Sequence, residues 1–140
     1  DVIKIINKNK NILLNQKVLL SGKRINRSTF DNLFTNLMAK LINVVFKVDL
    51  NDINGQPKIF NKNLKKYLKD SPLDFSLDLF LLLTSHKNNY KIKQVPINWG
   101  QRYKGIAKGG DNIFGKLKLI MRTLNYLVKI KKKFDGNNYS

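Results

Sequence analysis

Cysteine and glutamate are both missing from this 140-residue chain, and histidine and tryptophan occur once each. The lack of cysteine excludes disulfide frameworks, thiolate metal sites and thiol nucleophiles. A single histidine excludes a His-rich metal centre and a His-dependent triad; His86, in the polar exit Ser85-His-Lys-Asn-Asn89, is expected to be solvated. No apolar run approaches the ~20 residues needed to span a bilayer. There is no internal repeat, and low complexity is confined to the Lys/Asn-rich opening and the tail after Lys131.

Acidic residues are scarce. Nine Asp stand against 27 Lys and Arg, for a formal net charge of +18. Such an excess makes an anionic partner a serious candidate, whether nucleic acid, a phosphorylated substrate or a membrane surface. Twenty-three of the basic residues are Lys, however, and 19 further positions are Asn. These two residues share A-rich codons, so genome composition is a rival source of the charge. The four Arg are harder to explain that way. A chain of this length makes one domain and buries roughly two thirds of its unfolded surface. It opens at Asp1 directly into an apolar rhythm (Val2, Ile5, Ile6) with no initiator Met, which leads us to expect a fragment or a processed chain.

Hydrophobic spacing predicts alternating α and β elements. Asp1 to about Asn9 has the pattern of a helix end, and Lys17-Val-Leu-Leu-Ser-Gly22 that of a short buried strand. Ser28 or Thr29 caps a long helix whose stripe (Phe30, Leu33, Phe34, Leu37, Met38, Leu41, Ile42, Val45) is expected to be core. Pro57 to Phe60 is a predicted strand, followed by a short helix through Tyr67 that Ser71-Pro72 breaks. A second apolar helix is expected from Phe75 to about His86, and a strand from Tyr90 to Ile97. After a glycine-rich loop from Asn98 to Asp111, a last helix over 112–131 places Ile113, Leu117, Ile120, Met121, Leu124 and Val128 on one face. Lysines and Arg122 flank that face. A basic amphipathic helix of this kind either packs on a core or lies on an anionic membrane.

Four polar clusters interrupt the apolar pattern and are expected at strand ends, where open α/β sheets hold ligands. Ser21-Gly-Lys-Arg24, with Arg27 beyond it, offers a flexible backbone and guanidinium groups suited to bidentate phosphate contacts. Asn51 to Lys58 places Asp52, Gln56 and Lys58 around Gly55; its chemistry suits sugar hydroxyls and a phosphate, and equally a plain turn. Asp78, inside an apolar helix, must face out or be paired, since a lone buried carboxylate is costly. Gln101 to Gly110 combines Arg102, Lys104 and Lys108 with three glycines, a composition able to close over an anion, although its spacing is not that of a nucleotide-binding P-loop.

The order of these segments carries more information than any one of them. Ser21-Gly-Lys-Arg24, Asp52-Ile-Asn-Gly-Gln-Pro-Lys-Ile-Phe60, Phe75-Ser-Leu-Asp78, Val95-Pro-Ile97 and Arg102-x-x-Gly105-x-x-Lys108 together resemble glycosyltransferase family 2, over roughly residues 1 to 130. The similarity is greatest to the branch that resembles dolichol-phosphate mannose synthase and uses polyprenyl phosphates. The resemblance implies an α/β GT-A fold with a Rossmann-like mixed sheet. It implies an inverting transfer of a sugar from a nucleotide-diphosphate donor to a lipid-linked phosphate such as dolichyl or undecaprenyl phosphate.

On this resemblance residues 1–131 correspond to the C-terminal portion of one catalytic domain, and 132–140 to a basic, polar tail. Arg24 and Arg27 match basic residues near the donor and acceptor phosphates. Asp52, Gln56 and Lys58 match the acceptor-side segment, where many relatives have Ser-Gly-Phe-Arg in place of Gly55-Gln-Pro-Lys58. Asp78 matches an acceptor-positioning group or base, and Arg102 and Lys108 match a mobile loop, in which relatives commonly have Ser at the place of Ala107. The family's Mg²⁺ or Mn²⁺ is held by an Asp-x-Asp pair expected upstream of Asp1, so no metal ligand is expected within this chain and the chain alone is expected to be inactive. Expected partners are the nucleotide-sugar donor, the lipid phosphate and, through the 112–131 helix, a membrane surface, with no nucleic acid. The expected location is the cytoplasm or the inner face of the membrane. The alternative from charge alone is a nucleic-acid-binding module of ribonucleoprotein type.

Overall fold

The structure, a computed structural model, describes residues 2–74, 76–98 and 113–136. It is mixed α/β and divides into two compact units, residues 1–99 and 100–140. In the first unit two short helices, α1 (Val2–Lys8) and α2 (Lys10–Asn15), lead into β1 (Val18–Ile25). Leu13 of α2 packs with Val18 and Leu20 of β1 in a core cluster that Ile5, Ile12, Ile59 and Val95 flank. The alternate residues Leu19 and Ser21 point to the other face and are also fully buried.

β1 is the middle strand of a three-stranded sheet ordered β2-β1-β3. It runs antiparallel to β2 (Lys58–Phe60), pairing Ser21 with Lys58, and parallel to β3 (Lys91–Asn98), pairing Arg24 with Ile97. That parallel ladder corrects one expectation. Ser21 to Arg24 is part of the strand and not a flexible turn after it, because pairing with β3 continues to Ile25 opposite Asn98.

α3 (Thr29–Phe46) starts where expected, with the Ser28 hydroxyl accepting from the Asp31 N–H at 3.1 Å. Its apolar stripe is not core throughout. Ala39 and Ile42 are buried, whereas Phe30, Leu33, Leu37 and Leu41 are exposed. The apolar arc of this helix is wider than the side that packs inward.

A 3-10 helix (Lys62–Tyr67) follows β2, and then α4 (Leu77–Lys87). Leu79 through Ser85 are all buried, so α4 is enclosed on every side, which accounts for its lack of a polar face. His86 is exposed at its end, as expected. The second unit contains α5 (Ile113–Gly136), and residues 132–136 continue this helix instead of beginning a tail. Among the described residues no helix is long and apolar enough to cross a membrane.

Candidate functional site

β2 is only three residues long and pairs with the first half of β1 alone. Beyond Ser21 the same edge of β1 is covered by the 52–57 loop. The Gly22 N–H donates to the Pro57 carbonyl at 2.9 Å, and the Arg24 N–H to the Asp52 carboxylate at 3.0 Å. Two glycines permit this approach. A Cβ on Gly22 would lie 2.0 Å from the Gln56 carbonyl oxygen, and one on Gly55 would lie 2.0 Å from the Gly22 carbonyl oxygen. Both obstacles are backbone, so no side-chain rotation relieves them. The loop turns through a cis Gln56–Pro57 peptide bond.

The Arg24 side chain returns over the carboxylate that its own N–H binds. Nε donates to Asp52 Oδ2 at 2.8 Å and Nη2 to Oδ1 at 2.7 Å, a bidentate pair. Asp52 is only 4% exposed. Burial by itself would raise its carboxyl; the side-chain and backbone hydrogen bonds from Arg24, with the charges of Arg24 and Arg27, outweigh it and hold the group below the ordinary carboxylate range.

Lys58 begins β2 and doubles back beneath the loop. Its Nζ donates to the carbonyls of Ile53, at 2.9 Å, and Gly55. It also lies 3.9 Å from Asp78 Oδ1, on the first turn of α4. Burial lowers the Lys58 ammonium from its usual value, against the opposing charges of Asp78 and Asp52. The Gln56 amide closes the arrangement by donating to Asp78 Oδ1 at 2.8 Å. Asp78 is therefore paired, one of the two outcomes expected for it.

Arg27 stands between the end of β1 and α3. One guanidinium nitrogen donates to Thr35 Oγ1 at 2.8 Å and another lies 4.0 Å from Asp31. Burial, then the neighbouring Arg24 charge, lowers its pKa. Six of the residues picked out from the sequence, Arg24, Arg27, Asp52, Gln56, Lys58 and Asp78, thus form one electrostatically linked cluster. Arg102 and Lys108 lie outside the described residues.

Two contributors, Thr35 and Asn43, escaped the sequence reading, and two glycines act for a different reason than the one expected. Gly22 and Gly55 serve close backbone approach and not flexibility, and Thr35 holds Arg27 from eight residues away. Asn43 grips Leu50 at both ends, donating to its carbonyl and accepting from its N–H, each at 2.9 Å, and so sets the path of the chain into Asp52.

The cluster's carboxylates do not suit a divalent cation. Asp52 is taken up by Arg24, Asp78 by Gln56 and Lys58, and no group of three or more His, Cys, Asp or Glu converges among the described residues. What the arrangement offers is a framework of guanidinium and ammonium groups fixed in advance by carboxylates, suited to orienting an oxyanion. Comparison with protein-family models, curated proteins and solved structures finds no match.

Proposed function

We propose that this chain forms the acceptor side of an inverting glycosyltransferase with a GT-A fold, related to the polyprenyl-phosphate branch of glycosyltransferase family 2. One observation carries the reading: the sequence-distant segments that suggested the family, around Arg24, Asp52 to Lys58 and Asp78, meet at one edge of β1. A module that merely presents positive charge to nucleic acid has no need of a buried, bidentate ion pair such as Arg24–Asp52.

In this reading an oxygen of the acceptor phosphate attacks the anomeric carbon of the donor sugar. The bond from that carbon to the nucleoside diphosphate breaks, and the electron pair leaves with the diphosphate. A phosphate is already anionic at neutral pH, so no proton need be removed and Asp78 is not required as a base. Its role is to position, holding Gln56 and Lys58 on the loop. Asp52 holds Arg24 in the same way. Arg27, whose partners are a hydroxyl at 2.8 Å and a carboxylate only at 4.0 Å, is the cation best placed to turn toward a phosphate. The donor nucleotide and its metal belong to the segment that the resemblance places ahead of Asp1.

The test uses the chain joined to that donor-binding segment, a panel of labelled nucleoside-diphosphate sugars, and undecaprenyl phosphate or the corresponding alcohol. Label should enter the lipid phosphate and not the alcohol, and Arg27→Ala should lower kcat/KM for the acceptor about 30-fold, the equivalent of one charge-assisted contact. Equal transfer to the alcohol, or no transfer from any donor, would overturn the reading.

A further inference from the structure

The step from β1 to α3 carries a feature that the cluster's own contacts do not explain. Asn26, between Arg24 and Arg27, holds a left-handed backbone with φ 60°. That region is uncommon for a residue with a side chain, and it persists only where the surroundings hold it. The Asn26 Nδ2 donates at 3.0 Å to Oδ1 of Asn98, the last residue of β3, 72 positions further along the chain. Both residues are exposed, so the bond does not serve the core. Asn98 is the register partner of Ile25. The two amides therefore meet at the carboxyl ends of adjacent parallel strands, where open α/β sheets hold ligands.

We infer that the Asn26–Asn98 clasp positions Arg27, setting where its guanidinium meets a phosphate relative to Arg24 and Asp52. The contacts of Arg27 itself go one way. Its guanidinium donates to Thr35 Oγ1 at 2.8 Å and lies 4.0 Å from Asp31, and its carbonyl accepts from Asn32 Nδ2 at 3.5 Å. All three partners belong to α3 and fix Arg27 to that helix. Arg24 is on β1, and Asp52 is in the loop that covers the edge of β1. Asn26 is the joint between the two parts. Unrestrained, such a joint returns to the more populated right-handed region and redirects the chain that follows it. The bond to β3 holds it in place.

Electrostatics gives the joint a second task. Burial and then the Arg24 charge lower the Arg27 pKa, so the two guanidinium groups repel one another across the site. Keeping them together needs a restraint, and a phosphate arriving between strand and helix relieves the repulsion. The inference rests on the reading of Arg27 as a phosphate contact and names the residues that aim it. Asn26 and Asn98 act only through Arg27. Their two effects are therefore one effect, and removing either amide should cost as much as removing both.

The experiment is titration of the full chain with inorganic phosphate at fixed ionic strength, followed by nuclear magnetic resonance. Asn98→Ala removes the acceptor, and Asn26→Gly removes the donor while keeping a residue at ease with a left-handed backbone. Each should weaken phosphate binding about fivefold, and the double variant should be no weaker than either. Arg27→Lys keeps the charge but not the planar fork, so on that background Asn98→Ala should cost less than about twofold. A merely structural role would cost the same on both backgrounds. Wild-type affinity in Asn98→Ala, additive losses in the double variant, or an equal loss on the Arg27→Lys background would each overturn the inference. Arg27→Ala should remove the response; phosphate binding that it leaves unchanged would overturn the inference together with the assignment of Arg27, as would no binding by the wild-type chain. Sugar transfer by the chain joined to a donor-binding segment is read separately, so the glycosyltransferase reading and the clasp can fail independently.

Discussion

Asp52 stays ionised at 4% exposure because three donors of one residue, the N–H, Nε and Nη2 of Arg24, converge on its two oxygens. Asp52→Asn leaves the guanidinium facing an amide and should cost about 3 kcal/mol in urea denaturation, the scale for breaking one side of a buried pair. The pH dependence has a definite sign. The folded carboxyl titrates below the ordinary value of 3.8, so on acidification the unfolded chain takes up its proton first. This contribution to stability is complete above about pH 5 and is lost as pH falls through about 4 and below. Asp52→Asn should flatten the stability profile over that window; an unchanged slope would show that the pair is not formed in solution. Gly55→Ala places a methyl group 2.0 Å from the Gly22 carbonyl oxygen. It should destabilise by about 2 kcal/mol or more, and an unchanged melting midpoint would mean that loop and strand are not in contact.

At the scale of elements, the cluster depends on how α3 hands the chain to the 52–57 loop. Asn43→Ala removes both hydrogen bonds to Leu50 and leaves a partly buried N–H and carbonyl without their partner. A loss of about 2 kcal/mol is expected by thermal or chemical unfolding, together with weaker protection of the Arg24 amide in hydrogen exchange. Protection at the wild-type level would show that the Asn43 clasp does not set the loop's position. The elements also differ in how legible they were. α3 announced itself by apolar spacing and α4 by a continuous apolar run, and Ser28 marked the start of α3 correctly. The second half of β1 did not, since Gly22, Lys23 and Arg24 have the composition of a turn and become strand only through a parallel partner some 70 residues away. Periodicity likewise located the stripe of α3 but not its exposure, because spacing shows which residues share a face and not what covers that face. Within the cluster, Arg24, Asp52, Lys58 and Asp78 stood out as charges in otherwise apolar or turn-like settings. Thr35 and Asn43 did not, because a polar residue on a helix gives no sign of a partner outside it.

For the molecule as a whole, the net charge of +18 and the cluster are separate facts. With the adjoining Asp31 included, the cluster balances itself, Arg24, Arg27 and Lys58 being set against Asp31, Asp52 and Asp78. On the proposed reading, specificity for a phosphate rests on the orientation of its cations and not on their number, while the surplus lysines supply long-range attraction that salt screens. A binder that relied on the surplus alone would take up any polyanion and release it steeply as salt rises. The measurement that separates these cases most directly is sugar transfer to undecaprenyl phosphate by the chain joined to the donor-binding segment that the proposed reading requires, followed across a salt series with RNA present in excess. Our account predicts transfer that RNA does not abolish at physiological salt and that Arg27→Ala lowers about 30-fold. Absence of transfer alongside tight, salt-sensitive RNA binding would contradict it.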